Sequence, residues 1–209
     1  MDLLVRGDIL NSTRIQRRDI RVLSDFVSTN AISDVIAVMI YASFIGLSAQ
    51  VVIHLPFTPV PFTGQTFAVV LGASVLGMSR ALYGSILYLF AGLMGVPWFA
   101  GGSGGFSVAS TPTFGYIVGF LFASALVGYL ANRGFDKKIP STIAQMVIGN
   151  VVIYLFGVTY LSYSLNLSLA KAISLGVAPF VLSDLAKVLL AAILLPSAWK
   201  FQNWFSSHR

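Results

Sequence analysis

Asp184 and Lys187 lie three residues apart within residues 178–195, where every other side chain except Ser183 is apolar. On a helix, positions i and i+3 share a face, so the two would stand side by side as anion and cation. A charge at membrane depth costs a few kcal/mol or more, so such residues are usually paired, turned to the bundle interior and functional. A neighbouring pair neutralises itself while idle and still offers an acceptor and a donor to a ligand. Two charges on one helix do little to tie helices together. That favours a pocket for a small polar ligand with an apolar body over a purely structural ion pair.

The elements that must hold this pair are membrane helices. Of the 209 residues, 56% are hydrophobic and 10% charged, against about 25% charged in a soluble domain; the mean hydropathy is +0.85. The expected class is an all-α integral membrane protein. There is no cysteine and no glutamate, which excludes disulfides, zinc thiolate sites and thiol catalysis. His54 and His208 are the only histidines, too few for a metal site, and His54 reads as a polar tip at the outer interface. A serine–histidine hydrolase would need an acid to position His54; the acid nearest in depth, Asp184, already has Lys187. Gly101-Gly102-Ser103-Gly104-Gly105 lacks the Gly-Lys-Ser/Thr ending of a phosphate loop, and no ATP-hydrolysing motif occurs elsewhere. The chain therefore reads as no enzyme, and active transport by it would draw on another subunit or on an ion gradient. The net charge of +6 reflects basic residues gathered in loops for topology and does not call for nucleic acid.

Residues 35–79, 81–132 and 139–170 contain no Asp, Glu, Lys or Arg. Turn signals divide the chain into six expected spans near 35–55, 62–78, 81–96, 113–130, 143–164 and 173–199, the last kinked by Pro179. Six spans put both termini on one side. Eleven basic residues fall on that side and only Lys171 on the other, which makes the termini cytoplasmic. The expected organisation is a cytoplasmic tail over 1–33, a six-helix transmembrane domain over 34–200 and a cytoplasmic tail over 201–209. A short amphipathic helix on the membrane surface is one option for the first tail. The connection 97–112 is uncharged, glycine-rich and aromatic through Trp98, Phe99 and Phe106. Irregular backbone near membrane depth must line a cavity or be buried, so this connection is expected to dip inward. The segment 54–65, with Pro56, Pro59 and Pro61, is stiff and extended, a lid over a pocket or a spacer between helices. Ala42, Gly46 and Ala49 form a stripe of small residues that suits either packing within the bundle or docking of a partner membrane protein.

In order along the chain, the segments 56–65 (PFTPVPFTGQ), 76–77 (LG), 93–102 (LMGVPWFAGG), 113–120 (TFGYIVGF) and 179–187 (PFVLSDLAK) resemble the signatures of the BioY family. These are the biotin-specific substrate-binding components of energy-coupling factor transporters. The resemblance covers about residues 35–195. It implies a six-helix protein of the plasma membrane that captures biotin from the outer face. It also implies a transmembrane coupling protein and two ATPase subunits as partners, with membrane lipid around them. It requires no cofactor besides the transported ligand. The stripe at Ala42, Gly46 and Ala49 matches the family's alanine-motif face, used to dock the coupling protein. Asp184 and Lys187 match the family's acid and lysine of the last helix. The Asn and Arg that some members carry near the start of the fourth span are absent from residues 97–120.

A carboxylate suits the two N–H groups of the biotin ureido ring. Lys187 would then donate to the ureido carbonyl or, alternatively, pair with the valerate; the first keeps the Asp–Lys pair balanced. Trp98, Phe99 and Tyr116 would cover the apolar rings, and Gln65 and Asn150 are further polar candidates. Two other classes compete: a self-sufficient secondary transporter with Asp184 as a proton-coupling carboxylate, and a structural membrane assembly protein.

Overall fold

The computed structural model describes residues 22–28 and 30–208; the expected tail over 1–21 lies outside them, as do Thr29 and Arg209. Among the described residues, seven α-helices run in chain order: α1 Ala31–Gln50, α2 Gln65–Leu76, α3 Met78–Leu93, α4 Phe114–Asn132, α5 Ile139–Ser164, α6 Leu169–Gly176 and α7 Val181–Ser207. By length and composition, α1, α4, α5 and the 169–207 run are each able to cross a membrane. The 12 residues of α2 and 16 of α3 reach about 18 and 24 Å at 1.5 Å per residue, short of a roughly 30 Å core. The class is thus an all-α membrane protein. Among the described residues, the only sheet is a ribbon of β1 Val52–Ile53 antiparallel to β2 Phe62–Thr63, with Ile53 opposite Phe62.

Local chemistry explains where these elements start and stop. Asn30 opens α1 as a reciprocal cap: its side chain accepts from the Ser33 N–H at 2.9 Å, and Ser33 Oγ accepts from the Asn30 N–H at 3.0 Å. The first two expected spans are shorter than read from hydropathy. Pro56, Pro59 and Pro61 keep the intervening chain extended, and the apolar residues on either side pair as strands instead of helix. The last expected span is two helices with a 3₁₀ turn at Ala178–Phe180 between them, because Pro179 disfavours helical backbone at the residue before it. After that turn α7 runs unbroken through residues 201–207, expected as tail. Gly77 separates α2 from α3 with φ 78°, and a Cβ there would collide with Asn132 Oδ1.

The core is built around α4, which packs on α5, α3 and α2. The small stripe of α1 faces this interior: Ala42, Gly46 and Ala49 are buried, and Gly46 lies under the Trp98 ring, with a Cβ there 3.0 Å from that of Trp98. These residues therefore pack within the bundle, the first of the two uses read for them from the sequence. Glycine at 46 is what lets the Trp98 ring close over the helix.

At the end of the bundle that carries the α4–α5 turn, two polar clusters hold the ends together. Arg80 binds Asp25 at 2.7 Å, Asp34 at 2.8 Å and Ser24 Oγ at 2.8 Å, fastening the turn before α1 to the start of α3. Asp136, in the α4–α5 turn, is fully buried and accepts from the Trp199 indole N–H at 2.5 Å. Lys137 Nζ lies 4.3 Å from the Trp199 ring centroid. Burial pushes the Asp136 carboxyl up to about 6, although the Trp199 hydrogen bond and the Lys137 charge oppose the shift. Its ordinary value is 3.8, so between about 4 and 6 the native state binds more protons than the unfolded chain. Stability should then fall as pH rises through that window and stay lower above it. Thermal melts of the detergent-solubilised protein from pH 4 to 7 are expected to show this slope, and Asp136→Asn to flatten it. An unchanged slope in the variant would assign it elsewhere.

Candidate functional site

The loop end of the bundle, opposite Asp136, holds a cavity of about 450 Å³, within the roughly 300–1,000 Å³ typical of small-molecule sites. Its walls come from α2, α4, α5, the start of α7 and both long connections. Asp184 and Lys187 reach it from the first two turns of α7, and their ion pair spans 3.0 Å between Nζ and Oδ1.

The pair is bound to two other helices. Lys187 Nζ also donates to Thr66 Oγ1 at 2.9 Å and to the Thr63 carbonyl at 3.2 Å, and it lies 4.9 Å from the Phe62 ring centroid. Tyr154 of α5 donates its hydroxyl to Asp184 Oδ2. The expectation that two charges on one helix tie little together is therefore wrong. The pair joins α7 to α5 through Tyr154 and to the start of α2 through Thr66. Lysine has three protons, and all three are used. A carboxylate offers about four lone-pair positions, and Asp184 uses two. Toward the cavity, then, the pair presents unused acceptor capacity and no spare lysine donor.

The expected site residues divide. Gln65, Phe99 and Tyr116 line the same cavity as Asp184 and Lys187. Gln65 is partly committed: its Nε2 donates one of its two protons to Tyr88 Oη at 2.7 Å, and its Oε1 accepts from Thr63 Oγ1 at 3.2 Å. Tyr116 donates to the Gly176 carbonyl at 2.9 Å, holding the end of α6, and turns its ring edge-on to Tyr154. Phe99 is buried over Gly92, where a Cβ would collide with its ring, so glycine is required there. Trp98 and Asn150 do not line the cavity. The Trp98 indole donates to the Tyr88 carbonyl at 2.9 Å and packs on α1. Asn150 is buried one helical turn before Tyr154, and its Oδ1 has no hydrogen-bond partner among the described residues.

Both connections contribute to the cavity wall, the glycine-rich one dipping inward as expected and the proline segment following the lid reading of its two. Phe99 and Val108 are buried, and the Gly105 N–H donates back to the Gly92 carbonyl at 2.7 Å; Phe106 instead points outward. The proline segment contributes Pro59, Val60 and Pro61 to the wall and is pinned where Thr58 Oγ1 donates to the Leu175 carbonyl at 2.7 Å. Tyr154, Thr66 and Phe180 are wall residues that sequence reasoning missed. Thr66 directly follows Gln65, so that motif held a signal for it. Tyr154 carries none, since its partner is 30 positions away.

The BioY family model matches residues 18–203. The chain belongs to the BioY family. It is 33% identical over 167 residues to a biotin transporter BioY of Rhizobium etli, covering 77% of this chain and 89% of that protein. It is 39% identical over 142 residues to a biotin transporter BioY of Thermotoga maritima, covering 68% and 82%. A crystal structure of the S-component for biotin from an ECF-type ABC transporter superposes with a TM-score of 0.72 at 22% identity, covering 81% of this chain and 92% of that one. That likeness shows that this bundle shares its fold with that chain.

Tyr154→Phe and Thr66→Val each remove one partner of the buried pair. Each is expected to cost about 1–3 kcal/mol of stability, read as a lower thermal midpoint in detergent. The exposed Phe106→Ser should leave the midpoint unchanged.

Proposed function

We propose that this protein binds biotin and carries it across the plasma membrane as the substrate-specific component of an energy-coupling factor transporter. The observation that carries the reading is Asp184, an acid with two unused acceptor positions on the wall of a mostly apolar cavity. A ureido ring has two N–H donors to place there, and the remaining wall suits a thiophane ring and an alkyl chain. Lys187 holds Asp184 in place, and its contact with the ureido carbonyl requires exchange of its Thr63 or Thr66 bond. Phe99 and Tyr116 flank the apolar rings, and Gln65 stiffens the wall beside Thr66. The relatives named as biotin transporters support the ligand, and the shared fold with a solved biotin S-component supports the transporter class.

In this reading α1 to α5 and α7 are the six spans, with both termini cytoplasmic and α6 resting at the outer surface. The basic-residue asymmetry supports that orientation. The short α2 leaves room in the outer half of the membrane for the ribbon and loops that cover the ligand. A transmembrane coupling protein and two ATPase subunits supply the energy. Since the small stripe of α1 is buried, docking falls to the outward face of that helix, where Met39, Ile40 and Leu47 are exposed.

Calorimetric titration of the purified protein tests the reading. Biotin should bind, and Asp184→Asn and Lys187→Ala should each lose at least about tenfold in affinity while remaining folded, from the cost of an unpaired buried polar group. Wild-type affinity in both variants would sink the site assignment.

A further inference from the structure

We propose that the mouth of the cavity, His54 together with Ser107, forms the subsite that takes the ligand's carboxylate, so that biotin lies with its ureido ring inward and its acid toward water. The inference rests on the biotin reading above and concerns the end of the ligand that Asp184 does not hold. It comes from an account of every side-chain donor on the wall.

At depth most of the donors are committed. Lys187 spends its three protons on Asp184, Thr66 and Thr63. Tyr154 gives its proton to Asp184, Tyr116 to Gly176 and Gln65 one of its two amide protons to Tyr88; the second Gln65 N–H is neutral and belongs to a buried side chain, where an anion would lose its hydration. The one hydroxyl there with an unassigned proton, Thr66, stands beside the Asp184–Lys187 pair, where an anion would meet the Asp184 charge. Higher in the wall, Ser103 donates to the Ala100 carbonyl at 2.9 Å and Thr111 to the Val108 carbonyl at 2.7 Å, with Thr113 turned to Thr111 at 3.4 Å. His54 and Ser107 remain. Both line the cavity and both are exposed, and neither side chain makes a hydrogen bond among the described residues. They come from different connections, His54 from the segment after β1 and Ser107 from the glycine-rich loop, and both lie on the exposed part of the cavity wall.

The chemistry there suits a carboxylate. An imidazole has an N–H to donate in either protonation state, and as a cation it has two. A serine hydroxyl adds a second donor. An anion at the rim keeps part of its hydration, whereas one at the floor would lose it and face a second carboxylate. The same ligand thus finds an acceptor for its N–H groups inside and donors for its anion outside.

The test is calorimetry of the purified full chain with biotin and with biotin methyl ester, in wild type and in His54→Ala, Ser107→Ala, Lys187→Ala and Asp184→Asn. Esterification should cost wild type about fivefold to tenfold in affinity, the value of a hydrogen-bonded charge at a solvated site. His54→Ala should weaken biotin by a similar factor, leave the ester at wild-type affinity and so erase most of the difference; Ser107→Ala should do so in part. A wild type indifferent to esterification overturns the proposal. So does an esterification penalty that survives intact in both rim variants, or one that disappears in Lys187→Ala alone. Asp184→Asn reports separately on the inner end and should weaken acid and ester equally. If it weakens neither, the ureido assignment fails while the rim result stands by itself, and a wild type that binds neither ligand removes both readings.

Discussion

A lysine ammonium carries three protons and a carboxylate about four lone-pair positions, and within an apolar bundle each of these must be met or left facing a cavity. Here the lysine is fully met and the carboxylate is half met. Much of the architecture at that end of the molecule follows from meeting it. Asp184 must sit in the first turn of α7, so the chain has to break at Pro179 and restart at Val181. Thr66 must stand at the start of α2, so the preceding residues leave helix and form the β1–β2 ribbon. Tyr154 must face inward from the middle of α5. Three elements distant in the chain thus converge on one ion pair, and the unused side of Asp184 is what they leave open.

Much of the cavity wall is not α-helical. Pro59, Val60 and Pro61 come from one connection, and Phe99, Ala100, Ser103, Ser107 and Val108 from the other. Irregular backbone is tolerated there because its polar groups are answered internally, by Gly92 for Gly105 and by Ser103 for Phe99, or face the cavity. The opposite end is closed differently. Arg80 gathers two acids and a serine, and Trp199 seals a buried carboxylate under the α4–α5 turn. One end of the bundle is locked by charge and hydrogen bonds, while the other is covered by loops held through a few backbone contacts.

The sequence alone indicated the class, most of the long helices and the isolated pair Asp184 and Lys187, because hydropathy and isolated charge are properties of single positions and short windows. It also grouped Phe99, Tyr116 and Gln65 with that pair, and all of them line one cavity. It misjudged helix ends at 50, 65 and 176, where proline chemistry and strand pairing override an uninterrupted apolar run. It assigned Trp98 and Asn150 to the wall and left the Ala42, Gly46 and Ala49 stripe open between packing in the bundle and docking a partner. Only tertiary structure decided these, since the direction a side chain faces depends on which neighbour fills the space beside it: Tyr88 takes Trp98, and Trp98 in turn takes Gly46. Tertiary structure likewise decided that the ion pair joins three elements, because Tyr154 and Thr66 lie 30 and 121 positions from their partners in the chain. A hydrogen bond across such separations has no periodicity or local spacing to announce it, so it becomes visible only when the helices are packed.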